Sequence, residues 1–325
     1  MAARLMAAWR WLPVLVRAPI VAFVVLNIGT TAGLLPLLGN TRFLPGVPWS
    51  LPATVLVMAA FWYYFTGGGY PAATRAVRQE ATRRKSLPWP LWRAVVLPLL
   101  LSLVTVTTLR LALPSILPVE APKVAIDLSS YPVATVIGLL VSLALSAGIA
   151  EEVAFRGYLQ QPLEEAYGIV PALLLTGFAF WLAHADKATL THLPFHLVAS
   201  IVLGLSAYLT RSLLPAIIGH AAGDALLLPA YVFHRPAFVW STLTARPLWE
   251  GTGAATLAER LQLIWQAMRP SVLFASGPQR TFAIIAWTCL LSAVLTAIAL
   301  VDLARAARKV DGTGGSLEIA PSGLA

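Results

Sequence analysis

The stretch that decides the fold is VATVIGLLVSLALSAGIAEEVAFRG, residues 133–157. The 18 residues from Val133 to Ala150 carry no charged side chain, and two adjacent glutamates follow them directly. A helix needs about 20 apolar residues to cross the hydrocarbon layer of a bilayer. This stretch therefore predicts a membrane-spanning helix with acidic groups near its end.

The composition of the whole chain agrees with this local pattern. Of the 325 residues, 58% are hydrophobic and 11% are charged. A soluble domain has about 45–50% apolar and about 25% charged residues. Because no water-soluble core could bury so much apolar surface, we predict an all-α protein, a polytopic bundle of transmembrane helices.

The apolar runs predict about eight transmembrane helices, with seven as the alternative because the second and sixth runs are short. These runs cover roughly residues 18–38, 50–66, 90–114, 132–156, 169–187, 195–210, 213–233 and 281–303.

The runs divide the chain into five parts. We expect residues 1–131 to form three N-terminal spans, with a basic loop at 67–89, and residues 132–233 to form a core that carries ionisable residues within its apolar runs. An external loop or amphipathic segment (234–279), a last span (280–310) and a disordered tail (311–325) should follow. Within the external segment, residues from about Ala254 to Met268 could form a surface helix.

The net charge of +9 does not indicate a nucleic-acid-binding protein. The basic residues gather between apolar runs, at residues 4–17, 75–85 and 305–309, and do not form one patch with exposed aromatic residues. Clusters of this kind are typical of cytoplasmic loops. We therefore expect the lipid bilayer as the partner, both termini in the cytoplasm and, from the arginine-rich and lysine-poor composition, a bacterial plasma membrane.

An ionisable residue inside a membrane is a candidate functional residue, because its burial costs about 2.5–3.5 kcal/mol for Asp, Lys or Arg. Glu152 and Arg156 are four residues apart with the acid first, which favours an ion pair. Glu151 points about 100° away around the helix. Without that partner it is suited to act as a general base, unless the two glutamates only mark the end of the span at the cytoplasmic face.

His184 is the second candidate. Glu151 lies 16 residues before Tyr167, and His184 lies 16 residues after Gly168. If the chain turns at Tyr167–Gly168, both side chains lie about 24 Å from the turn and so at the same depth of a helical hairpin. The alternative is a histidine that caps the outer end of a span.

His220 and Asp224 are the third candidates, within an apolar run. Residues four apart share one helix face, so Asp224 can accept a hydrogen bond from His220 and fix its tautomer. His192 and His196 have the same spacing, but Pro194 lies between them. We expect a loop there and no role for those two histidines.

The patterns EExxxR, FxxxH and HxxxN/D, in this order, resemble the motifs of the CAAX protease and bacteriocin-processing family. Its members are intramembrane glutamic endopeptidases, and its eukaryotic members trim prenylated CAAX proteins. The resemblance covers roughly residues 133–233. The matching residues are Glu151, Glu152, Arg156, Phe180, His184, His220 and Asp224.

This resemblance implies hydrolysis of a membrane-anchored or hydrophobic peptide or protein. Glu151 would act with His184 to activate a water, and His220 with Asp224 would support the oxyanion. Where the HxxxN/D motif ends in Asn, the side-chain amide can donate a hydrogen bond to an oxyanion. Asp224 can do so only if it is protonated, and otherwise it must act through His220. The supporting positions would be Glu152, Arg156 and Phe180.

Two alternatives concern the chemistry and the class of protein. Glu151, His184 and His220 could bind zinc as two histidines and a carboxylate, but the HExxH signature is absent, so we favour a site without a cofactor. The polar residues could also line the path of a transporter or channel. A third possibility is a catalytically idle protein that binds a membrane peptide, as an immunity protein does.

Overall fold

The computed structural model describes residues 11–83, 87–116, 128, 130–184, 193–232, 248, 256–274 and 278–313. All regular structure in these ranges is helical, which confirms the all-α prediction for the described part of the chain. The helices are α1 (Val14–Arg42), α2 (Ser50–Phe65), α3 (Arg75–Ala81), α4 (Trp89–Ile116), α5 (Val133–Glu152), α6 (Gln161–Tyr167), α7 (Ile169–Leu182), α8 (Leu193–Thr210), α9 (Leu214–Val232), α10 (Leu257–Ala267) and α11 (Pro278–Thr313).

Each of the predicted apolar runs coincides with one of these helices. Five helical segments of the described chain are long and apolar enough to cross a membrane, and α2 and α7 are shorter apolar helices. The chain is therefore an integral membrane protein. The long segments are Val14–Arg42, Trp89–Leu113, Val133–Tyr167, Leu193–Thr210 and Gln279–Asp311.

The fourth run forms a longer helix than its apolar length predicts. Helix α5 continues through a π-helical segment, Val153–Gln160, into α6. The segment is polar in part but almost entirely buried, with Arg156 and Gln160 at 0% exposure. The helix ends at Gly168, whose φ of 82° favours glycine, and α7 begins at the next residue. The predicted turn of the hairpin is therefore present.

Helix α5 lies at the centre of the bundle. Of its most apolar window, 56% is buried in protein, against 28–39% for the other four long segments. It packs against α1, α2 and α9, while α4 packs along α11 and against α8 and α9. The other long helices expose more of their surface to lipid. Polar groups on α5 can therefore be shielded from lipid by the surrounding helices.

Gly148 allows α9 to approach α5 closely. A Cβ atom at Gly148 would lie 2.8 Å from Cβ of Ala221 and 2.9 Å from its backbone nitrogen. Such contacts are too short for carbon atoms, so only glycine fits without moving one helix. Gly148 lies one turn before Glu152, and Ala221 follows His220, so this contact sets the distance between the polar residues of the two helices.

Two arginines of the basic loop are buried, which the charge pattern did not predict. Arg78 donates hydrogen bonds to the carbonyl oxygens of Tyr64, Gly68 and Pro71. Arg83 forms a salt bridge of 2.5 Å with Glu164 of α6, and both side chains are 9% exposed. These arginines therefore hold the loop against the bundle. Arg84 and Lys85 lie outside the described residues.

Helix α10 lies in the segment for which a surface helix was considered. Thr256 caps it through a reciprocal pair of hydrogen bonds with Glu259. Ala267 is buried against Ala112 and Phe282, whereas the exposed apolar side chains are Leu257, Leu261 and Trp265. Most of residues 233–255 and the tail from 314 lie outside the described residues.

We predict that Gly148→Ala lowers the stability of the protein by about 1–3 kcal/mol, because the added methyl group overpacks the contact between α5 and α9. Gly46→Ala is the matched control, since nothing lies within 4 Å of a Cβ at that position. Thermal unfolding in detergent measures both variants. Equal midpoints for the two variants would contradict the close contact.

Candidate active site

Three helices bring the predicted polar residues together. Glu151 and Glu152 end α5, His184 lies two residues after the last residue of α7, and His220 and Asp224 lie on α9. Glu151, His184, His220 and Asp224 line one partly open pocket. The sequence motifs therefore converge in space.

One oxygen of Glu152 contacts two partners at once. Its Oε1 accepts from Nη1 of Arg156 at 2.9 Å and lies 2.6 Å from Nδ1 of His220. Glu152 and Arg156 are fully buried, and Arg156 also donates to the carbonyl oxygen of Ser200 at 3.4 Å. The predicted ion pair is present, and it includes a histidine that the sequence did not assign to it.

Glu151 has a different environment from its neighbour. Its Oε2 lies 4.0 Å from Nε2 of His184 and 3.9 Å from Nε2 of His220. This oxygen is buried, and no residue of the described chain donates a hydrogen bond to it. Separations near 4 Å exceed a direct hydrogen bond but fit one water molecule that contacts all three groups. Glu151 is therefore placed to bind and polarise a water.

The orientation of His184 follows from its helix end. Its Nδ1 lies 2.8 Å from the carbonyl oxygen of Phe180, which can only accept, so Nδ1 carries the proton of that bond. The other ring nitrogen, Nε2, takes no part in the bond to Phe180 and lies 4.0 Å from Oε2 of Glu151. The side chain is 32% exposed, which leaves it accessible from the pocket.

Phe180 packs beneath the polar groups. Its ring centroid lies 4.9 Å from that of His184 and 5.8 Å from that of His220. The guanidinium carbon of Arg156 lies 4.9 Å from the same centroid, within the range of a cation–π contact. Phe180 is 4% exposed. It therefore contacts residues of all three motifs, which is the packing expected of a supporting residue.

Asp224 does not make the hydrogen bond that its spacing predicted. Its Oδ2 lies 3.7 Å from Nε2 of His220, which is too long for a direct bond. The tautomer of His220 is set instead by Glu152 at Nδ1, on the other side of the ring. The expectation was wrong because helical spacing places two side chains on one face but does not show a stronger acceptor on a neighbouring helix.

His196 was assigned to a loop, and that assignment is wrong. It lies in α8, because Pro194 occupies the first turn, where proline needs no amide hydrogen. Its ring centroid is 4.7 Å from that of His184, and its side chain lines the pocket. A proline at a helix start was the signal that could have shown this. His192 lies outside the described residues.

Arg110 was also missed. It lies near the end of α4, and its guanidinium carbon is 5.5 Å from the ring centroid of Phe195, which lines the pocket. An arginine in an apolar run is a candidate by the same rule that selected Glu151. The sequence shows this charge within an apolar run, but Arg110 was not selected because it belongs to none of the three motifs.

A metal ion would need a different spacing of these groups. Zinc bonds of about 2.0–2.2 Å in a tetrahedral site put the ligand atoms about 3.3–3.6 Å apart. The separations from Glu151 to the two histidines are 4.0 and 3.9 Å. In the described ranges, no set of three or more His, Cys, Asp or Glu side chains is arranged to hold a metal.

Comparison with known proteins adds evidence that does not depend on this geometry. Residues 132–226 match the sequence profile described as type II CAAX prenyl endopeptidase Rce1-like. The matched segment contains every residue of the three motifs. A search of curated proteins and a search of solved structures gave no match. We conclude that the chain is an integral membrane protein whose residues 132–226 are similar to the Rce1-like family of type II CAAX prenyl endopeptidases.

Proposed function

We propose that the protein is an intramembrane endopeptidase that hydrolyses a peptide bond of a membrane-anchored or hydrophobic substrate. The observation that carries this proposal is the position of Oε2 of Glu151, 4.0 Å from His184 and 3.9 Å from His220. One water can contact a carboxylate and two imidazoles there, inside a pocket formed by apolar helices. The family match supports proteolysis and does not assign roles to residues.

In the first step, Glu151 and His184 take a proton from the bound water as its oxygen attacks the carbonyl carbon of the substrate. A new C–O bond forms, and the electron pair of the C=O bond moves to the carbonyl oxygen. Glu151 is suited to this role because no residue of the described chain donates a hydrogen bond to its buried Oε2. A positioned base contributes about 10²–10⁴-fold to such a step.

His220 would stabilise the negative charge that develops on the carbonyl oxygen. Its Nδ1 is engaged with Glu152, so Nε2 is the atom available in the pocket. The ring lies close to three carboxylates, Glu151, Glu152 and Asp224. A protonated ring donates from Nε2, and a donor aimed at an oxyanion contributes about 10²–10³-fold.

In the second step, the C–N bond breaks. The proton held by Glu151 and His184 goes to the leaving amine nitrogen, and the carbonyl of the new carboxyl group re-forms. Glu152, Arg156 and Phe180 make no contact with substrate in this scheme. Their role is to hold His220 and His184 around Glu151.

We also propose that the protein lies in a plasma membrane with both ends in the cytoplasm. The support comes from the basic clusters, because Arg305 and Arg308 follow the apolar part of α11 and are exposed. In this orientation the loop that carries Arg78 and Arg83 is cytoplasmic. A reporter fused to the C-terminus would test the assignment.

We predict that Glu151→Gln lowers kcat/KM by about 10²–10⁴-fold, because the amide cannot accept the proton of the water. Purified protein in detergent, with a quenched fluorescent peptide that carries an apolar segment, provides the assay. Glu165→Gln is the matched control, since Glu165 lies on α6 and bonds Gln161 at an exposed site.

Equal activity of Glu151→Gln and the wild type would exclude the proposed mechanism. If the wild type binds the peptide without cleaving it, a binding protein replaces the enzyme as the better proposal. Uptake of a solute by proteoliposomes would favour a transporter.

We predict that Glu152→Ala destabilises the protein by about 3–5 kcal/mol, because it leaves the buried charge of Arg156 without a partner. The double variant Glu152→Leu/Arg156→Met should recover most of the stability, since apolar side chains replace both charges. Its peptidase activity should stay low, because His220 still lacks the acceptor for Nδ1. Full activity in the double variant would show that Glu152 does not position His220.

We predict that treatment with a strong chelator leaves the peptidase rate unchanged. Elemental analysis of the active protein should find no stoichiometric zinc. The spacing of Glu151, His184 and His220 supports this outcome, because it is wider than a zinc site requires. Loss of activity that zinc restores would instead establish the two-histidine carboxylate site.

A further inference from the structure

His184 is held less firmly by its own helix than His220. Helix α7 ends at Leu182, so His184 lies in the turn beyond it. Its side chain is 32% exposed, against 10% for His220, whose Nδ1 contacts a buried carboxylate. The contact of Nδ1 of His184 with the carbonyl oxygen of Phe180 fixes one edge of the ring. One hydrogen bond does not fix the plane of a ring, so the direction of Nε2 depends on a second contact.

His196 makes such a contact from a different helix. Its ring centroid lies 4.7 Å from that of His184, and the two ring planes are inclined by 34°. The ring centroid of Phe180 lies 4.9 Å from that of His184 and 5.8 Å from that of His196. Rings pack favourably at centroid separations of about 4.5–7 Å. Among the described residues, His196 is the ring that contacts His184 from another helix.

Helix α8, which carries His196, is anchored to two other elements of the site. One turn after His196, the carbonyl oxygen of Ser200 accepts a hydrogen bond of 3.4 Å from Nη2 of Arg156. Gly177 of α7 allows α8 to approach, because a Cβ atom there would lie 2.7 Å from Cδ1 of Leu197. His196 itself is buried, at 9% exposure. Helix α8 therefore holds the ring of His196 in a fixed position relative to the other residues of the site.

We propose that His196 is a positioning residue of the site, whose ring packs on His184 and directs Nε2 of His184 toward Glu151. The catalytic part of this inference rests on the proposed peptidase function, whereas the ring contact itself does not. His196 lines the pocket but belongs to none of the three motifs. The role requires a flat ring at this position and no proton transfer by His196. Substitutions that keep or remove the ring therefore test it.

The ring contact is tested first by thermal unfolding in detergent, without an assay of activity. A double-mutant cycle compares His184→Ala, His196→Ala and the double variant with the wild type. Either substitution alone removes the same contact. We therefore expect the midpoint of the double variant to fall by roughly 1–3 °C less than the sum of the two single losses. Additive losses would overturn the contact.

The second readout is catalysis with the quenched fluorescent peptide. We expect His196→Gln, which keeps a polar group but removes the ring, to lower kcat by roughly 10–100-fold with little change in KM, because His184 is then misplaced. His196→Phe, which keeps a flat ring without a titratable nitrogen, should retain most of kcat. Tyr208→Leu is the matched control, since it removes a ring from a position of α8 that is 39% exposed and does not line the pocket.

A positioning residue acts through the group that it positions. We therefore expect His184→Ala/His196→Gln to be no slower than His184→Ala alone, since the ring that His196 holds is already absent. A further fall of kcat in the double variant would overturn the proposal, because His196 would then have a role of its own. A His196→Phe variant as slow as His196→Gln would also overturn it and indicate hydrogen bonding or proton transfer by His196.

Two further outcomes separate this inference from the proposed peptidase. A rise in KM with unchanged kcat in His196→Gln would overturn the positioning role and indicate that His196 binds substrate. Non-additive midpoints in a protein that cleaves no peptide would support the ring contact and reject the proposed peptidase. A peptidase that depends on Glu151 and keeps full kcat in His196→Gln would reject the positioning role alone.

Discussion

The arrangement of the site depends on one buried carboxylate, that of Glu152. A single oxygen of this group bonds both Arg156 and His220, at 2.9 and 2.6 Å. Leaving the buried charge of Arg156 or of Glu152 unpaired in this environment would cost several kcal/mol. The pairing therefore fixes the rotation of α5 relative to α9, and Gly148 allows the two helices to come close enough for it to form.

This constraint separates the roles of two adjacent glutamates. Successive residues of a helix point about 100° apart, so Glu151 and Glu152 face different surroundings. Glu152 meets an arginine and the Nδ1 side of His220, whereas Glu151 meets the Nε2 atoms of two histidines at about 4 Å. Oε1 of Glu152 is thus engaged in two short contacts, whereas Oε2 of Glu151 accepts no hydrogen bond from the described chain. The His220 ring lies between the two glutamates, because its Nδ1 contacts Glu152 and its Nε2 faces Glu151.

Helix α4, which forms one wall of the pocket, is held on its opposite side by hydroxyl contacts with α11. These contacts are weaker than the ion pair of Glu152 and Arg156. Thr105 of α4 donates to Ser292 of α11 at 3.0 Å, and Thr296 lies 3.4 Å from Thr105. Hydroxyl pairs of this kind hold helices together in lipid. They fix the rotation of α4, whose adjacent face presents Leu103 and Val106 to the pocket. The part of the pocket wall that α4 forms thus depends on contacts of this helix with α11 on its other side.

The sequence by itself determined the helical fold, the limits of the apolar runs, the Glu152–Arg156 pair and the equal depth of Glu151 and His184. These features follow from hydrophobic length and helical spacing, which act along one chain segment. Tertiary structure decided that Glu152 contacts His220, that Asp224 lies 3.7 Å from that ring, and that His196 lines the pocket. Those contacts connect different helices, and their rotation is set by close packing at residues such as Gly148, which no periodicity within one helix encodes.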